Sequence, residues 1–444
     1  MAGRYKPYPE YKNSGIEWLG GIPLSWNCVR LKYSADLHSN KIEAGSVQRY
    51  IGMENIESGN GRYLAKEDVS PEGLSTSFLK GDVLFGKLRP YLAKSWLAEF
   101  SGICSSEFLV LRSKNVSPGF LHYYTLTDEF INQVNASTYG SKMPRASWDF
   151  IGLLPVPIPD NGSEKISNFL DHETAKIDTL IEKQQQLIQL LKEKRQAVIS
   201  HAVTKGLNPN VKMRDSGVEW LGVVPEHWYV VPLKRVCEVK DGTHETPQYV
   251  DMSEDAFPLI TSKDFIGDSI SFEGAKYISK VDHLEIIKRS NTETGDVLMS
   301  MIGGNIGKAA LVKSNANFSI KNVALFKTHG NQHVAQYILY YLQSGLLDIQ
   351  ISLLSRGGAQ GFLSLGDIRN LCFLKAPSDE IEEIVESLSK STIKFDHLIE
   401  KAELAVKLII ERRTALISAA VTGKMDVRDW VAPKVSQTNK EVAA

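Results

Sequence analysis

Two stretches of the chain carry apolar residues at helical spacing without interruption. Residues 164–205 contain no Gly or Pro, and Ile177, Leu180, Ile181, Leu187, Ile188, Leu191 and Val198 recur along them. That spacing predicts one long helix. Asn161, Gly162 and Ser163 supply its cap, Glu164 lies where the helix dipole favours an acid, and Gly206 stops it. A second such helix is predicted from about Asp379 to Gly423, with Phe395, Leu398, Ile399, Ala405, Leu408, Ile409 and Leu416 along one side. At 1.5 Å per residue each is roughly 60 Å long, too long to be stable without a partner. The three-four spacing suits a coiled coil. The economical arrangement pairs the two helices antiparallel, because a large globular segment separates them. The expected seam is Ile177, Leu180, Leu187, Leu191 and Val198 against Phe395, Leu398, Ala405, Ile409 and Leu416. The alternative packs each helix on its own domain.

The segments before these helices have a different pattern. Short β-branched and aromatic runs, such as SSEFLVLR at 105–112 and NVALFKT at 322–328, lie between Gly- and Pro-containing turns and read as strands. Pro-rich exits, LPVPIPDNG at 154–162 and FLKAPSD at 373–379, close each strand-rich segment.

The chain also repeats itself. Residues 14–32 match residues 216–234 at 11 of 19 positions, around SGIEWLG and SGVEWLG. GDVLF at 81–85 is echoed by GDVLM at 295–299, IDTLIEK at 177–183 by FDHLIEK at 395–401, and KRQAVISHAVTKG by RRTALISAAVTGK. The repeat unit is about 200 residues, far longer than a solenoid period of roughly 20–50. The fold class expected is therefore α+β, in two pseudo-repeated halves, each a mixed α/β domain followed by a long helix. The boundaries expected are 1–162, a helix over 163–206, a second domain over 207–378, a helix over 379–424, and a disordered tail over 425–444.

Composition changes this picture little. With 444 residues, 43% hydrophobic and 23% charged, the chain reads as a soluble globular protein of several domains. Cys28, Cys104, Cys237 and Cys372 lie far apart without a CxxC pair, which argues against a zinc knuckle or a disulfide framework and for reduced, buried thiols. No apolar run approaches the ~20 residues of a membrane span, and the first residues lack a signal-peptide core, so a cytoplasmic location is expected. A net charge of −1 leaves no global basic field, so any nucleic-acid surface must be local.

SGIEWLGGIPLSWNCVRLKY, GDVLFGKLRPYLAK and NFLDHETAKIDTLIEKQQQLIQLLKEKRQAVISHAVTKGL together resemble the specificity subunit of type I restriction-modification enzymes, over nearly the whole chain. The resemblance implies two target recognition domains that read a bipartite, asymmetric DNA site, with the paired helices as a ruler for the unread spacer. It implies two modification subunits as partners, carrying S-adenosylmethionine, and restriction subunits carrying ATP and Mg. The pseudo-twofold repeat gives a physical reason for two identical partners. The repeated SGxEWLG phrase is then scaffold, and Trp18, Trp26, Trp220 and Trp228 are expected to pack rather than read DNA.

Residues that contact DNA should lie where local charge is positive and unopposed. Residues 299–328 carry Lys308, Lys313, Lys321 and Lys327 with no acid; residues 136–146 carry Lys142 and Arg145 with no acid; GKLRPYLAK at 86–94 sets three cations around Tyr91. Such cations supply salt-dependent phosphate contacts, while base reading needs polar side chains at groove depth. The candidates are Lys87, Arg89, Tyr91, Tyr139, Ser141, Lys142 and Arg145 in the first half, and Asn305, Lys308, Lys321, Arg356 and Gln360 in the second. Each is also readable as an ordinary solvated loop residue.

Catalytic patterns are missing. GGNIGKAA at 303–310 has only three residues between its glycines and Ala309 after Lys308, so it is not a phosphate loop. His329 and His333 are four apart but lack the Glu of a zinc-protease helix, no G-x-S-x-G elbow occurs, and no methyltransferase motif occurs. The expectation is a non-catalytic recognition subunit. The alternatives are a self-contained methyltransferase or nuclease, and a coiled-coil scaffold without DNA reading.

Overall fold

The computed structural model describes residues 5–43, 49–66, 73–313, 317–354 and 361–433. The chain forms two compact units. The first combines residues 1–185 with 404–444; the second is residues 186–403. The two long helices are present as expected: α1 spans Ser163–Lys205 and α2 spans Ser378–Val421. Gly206 and Gly423 follow them with φ of +74° and +73°, the left-handed geometry that ends a helix without steric cost. Each unit owns one half of each helix, so the unit boundaries cut both helices rather than preceding them.

Within each unit the helix halves run antiparallel. In the first unit Arg413 on α2 binds Asp178 on α1. In the second, Arg195 binds Asp396 and Lys192 binds Glu403. The apolar seam differs from the expected one. Ile177, Leu191 and Val198 on α1, and Phe395, Ala405 and Ile409 on α2, are half-buried, and Leu416 is fully buried. Leu180, Leu187 and Leu398 instead face outward, at 44, 44 and 49% exposure. Their places are taken by the next residues, Ile181, Ile188 and Ile399. The cause is that both helices carry more apolar residues than one stripe needs. Leu190, Leu404 and Leu408 are outward too, so periodicity alone could not select the face.

Each unit contains its own four-stranded antiparallel sheet of the same order. In the first its order is Ala35–His38, Phe108–Ser113, Val83–Gly86, Ser95–Leu97; in the second it is Glu238–Asp241, Val323–Lys327, Val297–Ser300, Ala309–Leu311. GDVLF and GDVLM are thus equivalent central strands. The Asp of each is buried and bonds a cation from the neighbouring strand: Asp82 takes Arg112, and Asp296 takes Lys327.

The repeated phrase is a strap. Tyr11–Asn13 pairs with Gly21–Pro23, and Met213–Asp215 with Val223–Pro225. The turns close identically, Ser14 N to Gly20 O and Ser216 N to Gly222 O, both at 3.0 Å. Gly15 and Gly217, then Gly20 and Gly222, all have positive φ, which is why these glycines recur. Trp26 and Trp228 are buried in the cores, and Trp18 and Trp220 pack half-buried against them. The Pro-rich exits contain strands: Pro155–Ile158 and Cys372–Lys375 each pair with the strand after the strap. The segment after α2 does not behave as a free tail throughout, because Met425 and Val427 are buried in the first unit's core and the Trp430 ring meets Phe169 edge-on.

A second small sheet in each unit breaks the symmetry. Both contain a parallel pair, Tyr50–Ile51 with Gly102–Cys104 and Ala256–Ile260 with Ser319–Ile320. The added strands Lys41–Ile42 and Ser75–Phe78 extend the first sheet from the later member, Gly102–Cys104. Tyr249–Val250 and Lys276–Ser279 extend the second from the earlier member, Ala256–Ile260. The shared sheet is a frame, and the second sheet is where the halves diverge.

Candidate nucleic-acid interface

The central strand of each frame runs straight into a loop that folds back on itself. In the first unit Gly86 N donates to Lys94 O at 2.8 Å, and Arg89 N to Pro144 O at 2.7 Å. Ala146 N reaches Lys87 O at 3.0 Å, and Tyr139 and Arg145 exchange backbone bonds at 3.0 and 3.1 Å. Two segments some fifty residues apart are therefore laced together, bringing Lys87, Arg89, Tyr91, Tyr139, Ser141, Lys142 and Arg145 to one surface. Tyr91 and Tyr139 are 54 and 63% exposed. Arg145 is already engaged: its guanidinium donates to Glu107 from both Nε and Nη2, a bond that raises its affinity for its proton.

The second unit repeats this lacing. Ser300 N donates to Lys308 O at 2.9 Å, Gly303 N to Gly361 O at 3.0 Å, and Leu363 N to Met301 O at 2.9 Å. Asn305 is exposed on the resulting turn. It borders a groove of about 580 Å³ that Tyr249, Lys263, Lys276 and Lys321 also line. Asn305 and Lys321 are thus brought together, with Lys321 Nζ donating to Thr246 Oγ1. Lys308 serves the fold instead: its Nζ donates to Phe265 O at 2.6 Å, as Lys94 donates to Met53 O at 2.6 Å. Both lysines tie the loop to the segment just after a strand of the second sheet, Met53 following Tyr50–Ile51 and Phe265 following Ala256–Ile260. Arg356 and Gln360 lie outside the described residues.

Lys263 and Lys276 do not stand out in the sequence because acids, Asp264 and Glu273, lie close to them. Asp264, beside Lys263, is not a free acid. It accepts bonds from Thr261 N and Oγ1 at 2.7 and 2.9 Å and closes a short turn. Gly52 N and Asn55 Oδ1 close the matching turn of the first unit at 2.8 Å. Behind the groove, Asp241 holds Arg289 and His244, and His244 Nδ1 meets Asn322 Oδ1 at 3.1 Å. Burial pushes the Asp241 carboxyl up, but the bonds from Arg289 and His244 outweigh it and hold it below the usual carboxylate range.

Chemically, these loops offer cations, amides and phenols to a polyanion. Among the described residues no group of three or more His, Cys, Asp or Glu is placed to hold a metal ion, and no helix is long and apolar enough to cross a membrane.

Comparison with known proteins agrees in kind. No family model matches the chain. It is 23% identical over 447 residues to the type I restriction enzyme MjaVIII specificity subunit of Methanocaldococcus jannaschii, covering 94% of this chain and 98% of that one. It is 24% identical to the EcoBI specificity subunit of Escherichia coli over 68% of this chain and 65% of that one. A match of 27% to the Escherichia coli EcoDI specificity subunit spans 36% of the latter. Among solved structures, a chain from work on complex assembly and conformational transition of the type I R-M system superposes with a TM-score of 0.66 at 19% identity, covering 91% of this chain and 99% of that one. That chain has the same fold.

Proposed function

We propose that the chain is a type I restriction enzyme specificity subunit and that it reads a bipartite double-stranded DNA site, one half-site per unit. The observation that carries this reading is the division within each unit. The frame is duplicated strand for strand, while the second sheet and its loops differ. Two copies of one frame suit two half-sites of one duplex, and different inserts suit different bases.

The residues divide into two roles. Lys87, Arg89, Lys142 and Arg145, with Lys263, Lys276 and Lys321, contribute phosphate contacts that set register and make binding salt-dependent. Tyr91, Tyr139, Ser141 and Asn305 face the base edges. Two modification subunits, bound to S-adenosylmethionine, dock on the repeated frame and transfer methyl groups to adenine; restriction subunits, bound to ATP and Mg, join that core. The target base swings out of the stack into the partner's pocket, since a stacked base is out of reach. This chain's own contribution is recognition.

Selection from a randomised duplex pool by the complex of this chain with its modification subunit tests the reading. Enrichment of two short fixed blocks at a constant separation is expected. Recovery of an unenriched pool contradicts it.

A further inference from the structure

The folded-back loops of the two units share several backbone hydrogen bonds and the positions of two left-handed residues. Gly86 N to Lys94 O corresponds to Ser300 N to Lys308 O, and Arg89 N to Pro144 O corresponds to Gly303 N to Gly361 O. The loops have two left-handed residues in the same places: Arg89 at φ +49° and Ala93 at +46°, Gly303 at +75° and Gly307 at +83°. The lysine that closes each, Lys94 or Lys308, ties it through one carbonyl to the segment that follows a second-sheet strand, Met53 after Tyr50–Ile51 and Phe265 after Ala256–Ile260. In the first unit this shape is kept although Arg and Ala are unfavourable in the left-handed region. A backbone preserved against its residues' preferences is over-determined by its surroundings.

On this fixed frame one position differs sharply. Tyr91 lies two residues from each left-handed position of its loop, and Asn305 lies two residues from each of its own. Both are exposed at the crest of the turn. Asn305 sits on the rim of the groove between the loop and the second sheet, with Lys263, Lys276 and Lys321 on the same walls. Its amide presents one acceptor and two donors. That pattern matches the N6 and N7 edge of adenine in the major groove. The lysines supply the phosphate contacts that hold a duplex at that depth.

We propose that Asn305 and Tyr91 are equivalent base-reading positions of the two units, and that Asn305 reads an adenine in its half-site. The proposal rests on the DNA-reading function argued above. It adds which side chain reads, and which base.

Base-resolution methylation mapping of genomic DNA from cells co-expressing the modification subunit with each variant tests it. Asn305→Ala should relax one position of one half-site, with discrimination falling about tenfold to a hundredfold, and leave the other half-site as in wild type. Tyr91→Ala should relax one position in the other half-site only. Asn305→Asp keeps the size and loses the donors, so the relaxed position should shift from adenine towards cytosine, whose amino group a carboxylate accepts. An unchanged motif in Asn305→Ala and Asn305→Asp overturns the proposal. So does methylation that falls uniformly without change of motif, which would make Asn305 an affinity contact. A wild-type map without any split motif would instead remove the function on which the proposal rests.

Discussion

Arg413 donates to Asp178 through Nε at 2.8 Å and Nη2 at 3.4 Å, joining the facing halves of α1 and α2 in the first unit. The two partners are unequally buried, with the Arg413 side chain 9% exposed and that of Asp178 37%. This asymmetry decides which deletion hurts more. Asp178→Ala strands a buried guanidinium and is expected to cost roughly 3 kcal/mol. Arg413→Met leaves a carboxylate that water can reach, and is expected to cost about 1 kcal/mol. Urea unfolding of the two variants checks the order; equal costs, or the reverse order, would show that the unequal burial of the pair does not decide which partner matters more.

The cation partners of the duplicated Asp residues give a second test. The Lys327 side chain is 6% exposed and Asp296 is 1%, while Arg112 is 42% exposed over a buried Asp82. Burial pushes the Lys327 ammonium down, but the bonds to Asp296 and Glu293 outweigh it and hold it above the usual lysine value. Lys327→Met leaves Asp296 buried without its cation and should cost roughly 3–5 kcal/mol. Each Asp also accepts a backbone N–H, Leu79 N on Asp82 and Glu293 N on Asp296, so the difference lies in the exposed position of Arg112, where water reaches the site, and Arg112→Met should cost less. Thermal unfolding of both variants reads the difference.

Much of this architecture was legible in the sequence, because its signals are local or repeated. The helix stops rest on Gly206 and Gly423, the strap on paired glycines, and the frame strands on GDVLF and GDVLM. The seam was not legible, since Leu180 and Ile181 are both apolar and only packing distinguishes them. Nor was the fate of Lys308, which looks like a free cation until the Phe265 carbonyl appears beside it. The equivalence of GKLRPYLAK with SMIGGNIGK was hidden because it lies in φ angles and backbone bonds, with no shared residue except the closing lysine. Hydrogen bonds, not sequence proximity, bring residues 86–94 and 139–146 together.

Acid should loosen the first unit. Burial, aided by Arg413, pushes the His122 imidazole down to about 4, and its buried Nδ1 has no hydrogen-bond partner among the described residues. The unfolded chain, with an ordinary histidine near 6.5, binds the proton more readily in between. Stability contributed by neutral His122 is therefore complete above about pH 6.5 and lost as pH falls towards about 4, by up to roughly 3 kcal/mol. Unfolding of the wild type and of His122→Asn across that window checks the sign: the wild type should lose more stability on acidification, and parallel curves would contradict it.

The left-handed loop positions predict opposite responses to reciprocal changes. Ala93→Gly relieves an unfavourable φ of +46° and should gain about 0.5–1 kcal/mol. Gly307→Ala forces a side chain onto a φ of +83°, with its Cβ 3.0 Å from Leu347 Cδ2, and should destabilise by about 1 kcal/mol or more. Melting temperatures of the pair decide it, and a loss in both would mean that the two loops do not share one backbone.

The most direct test of recognition by two dissimilar units on one repeated frame is a methylome. The chain is co-expressed with its modification subunit in a host free of DNA methylation, and modified bases are mapped across the genome. Methyladenine in both blocks of a split motif, with different blocks and one fixed gap, is the predicted result. Methylation at a continuous, undivided motif, or none from an assembled complex loaded with S-adenosylmethionine, would contradict it.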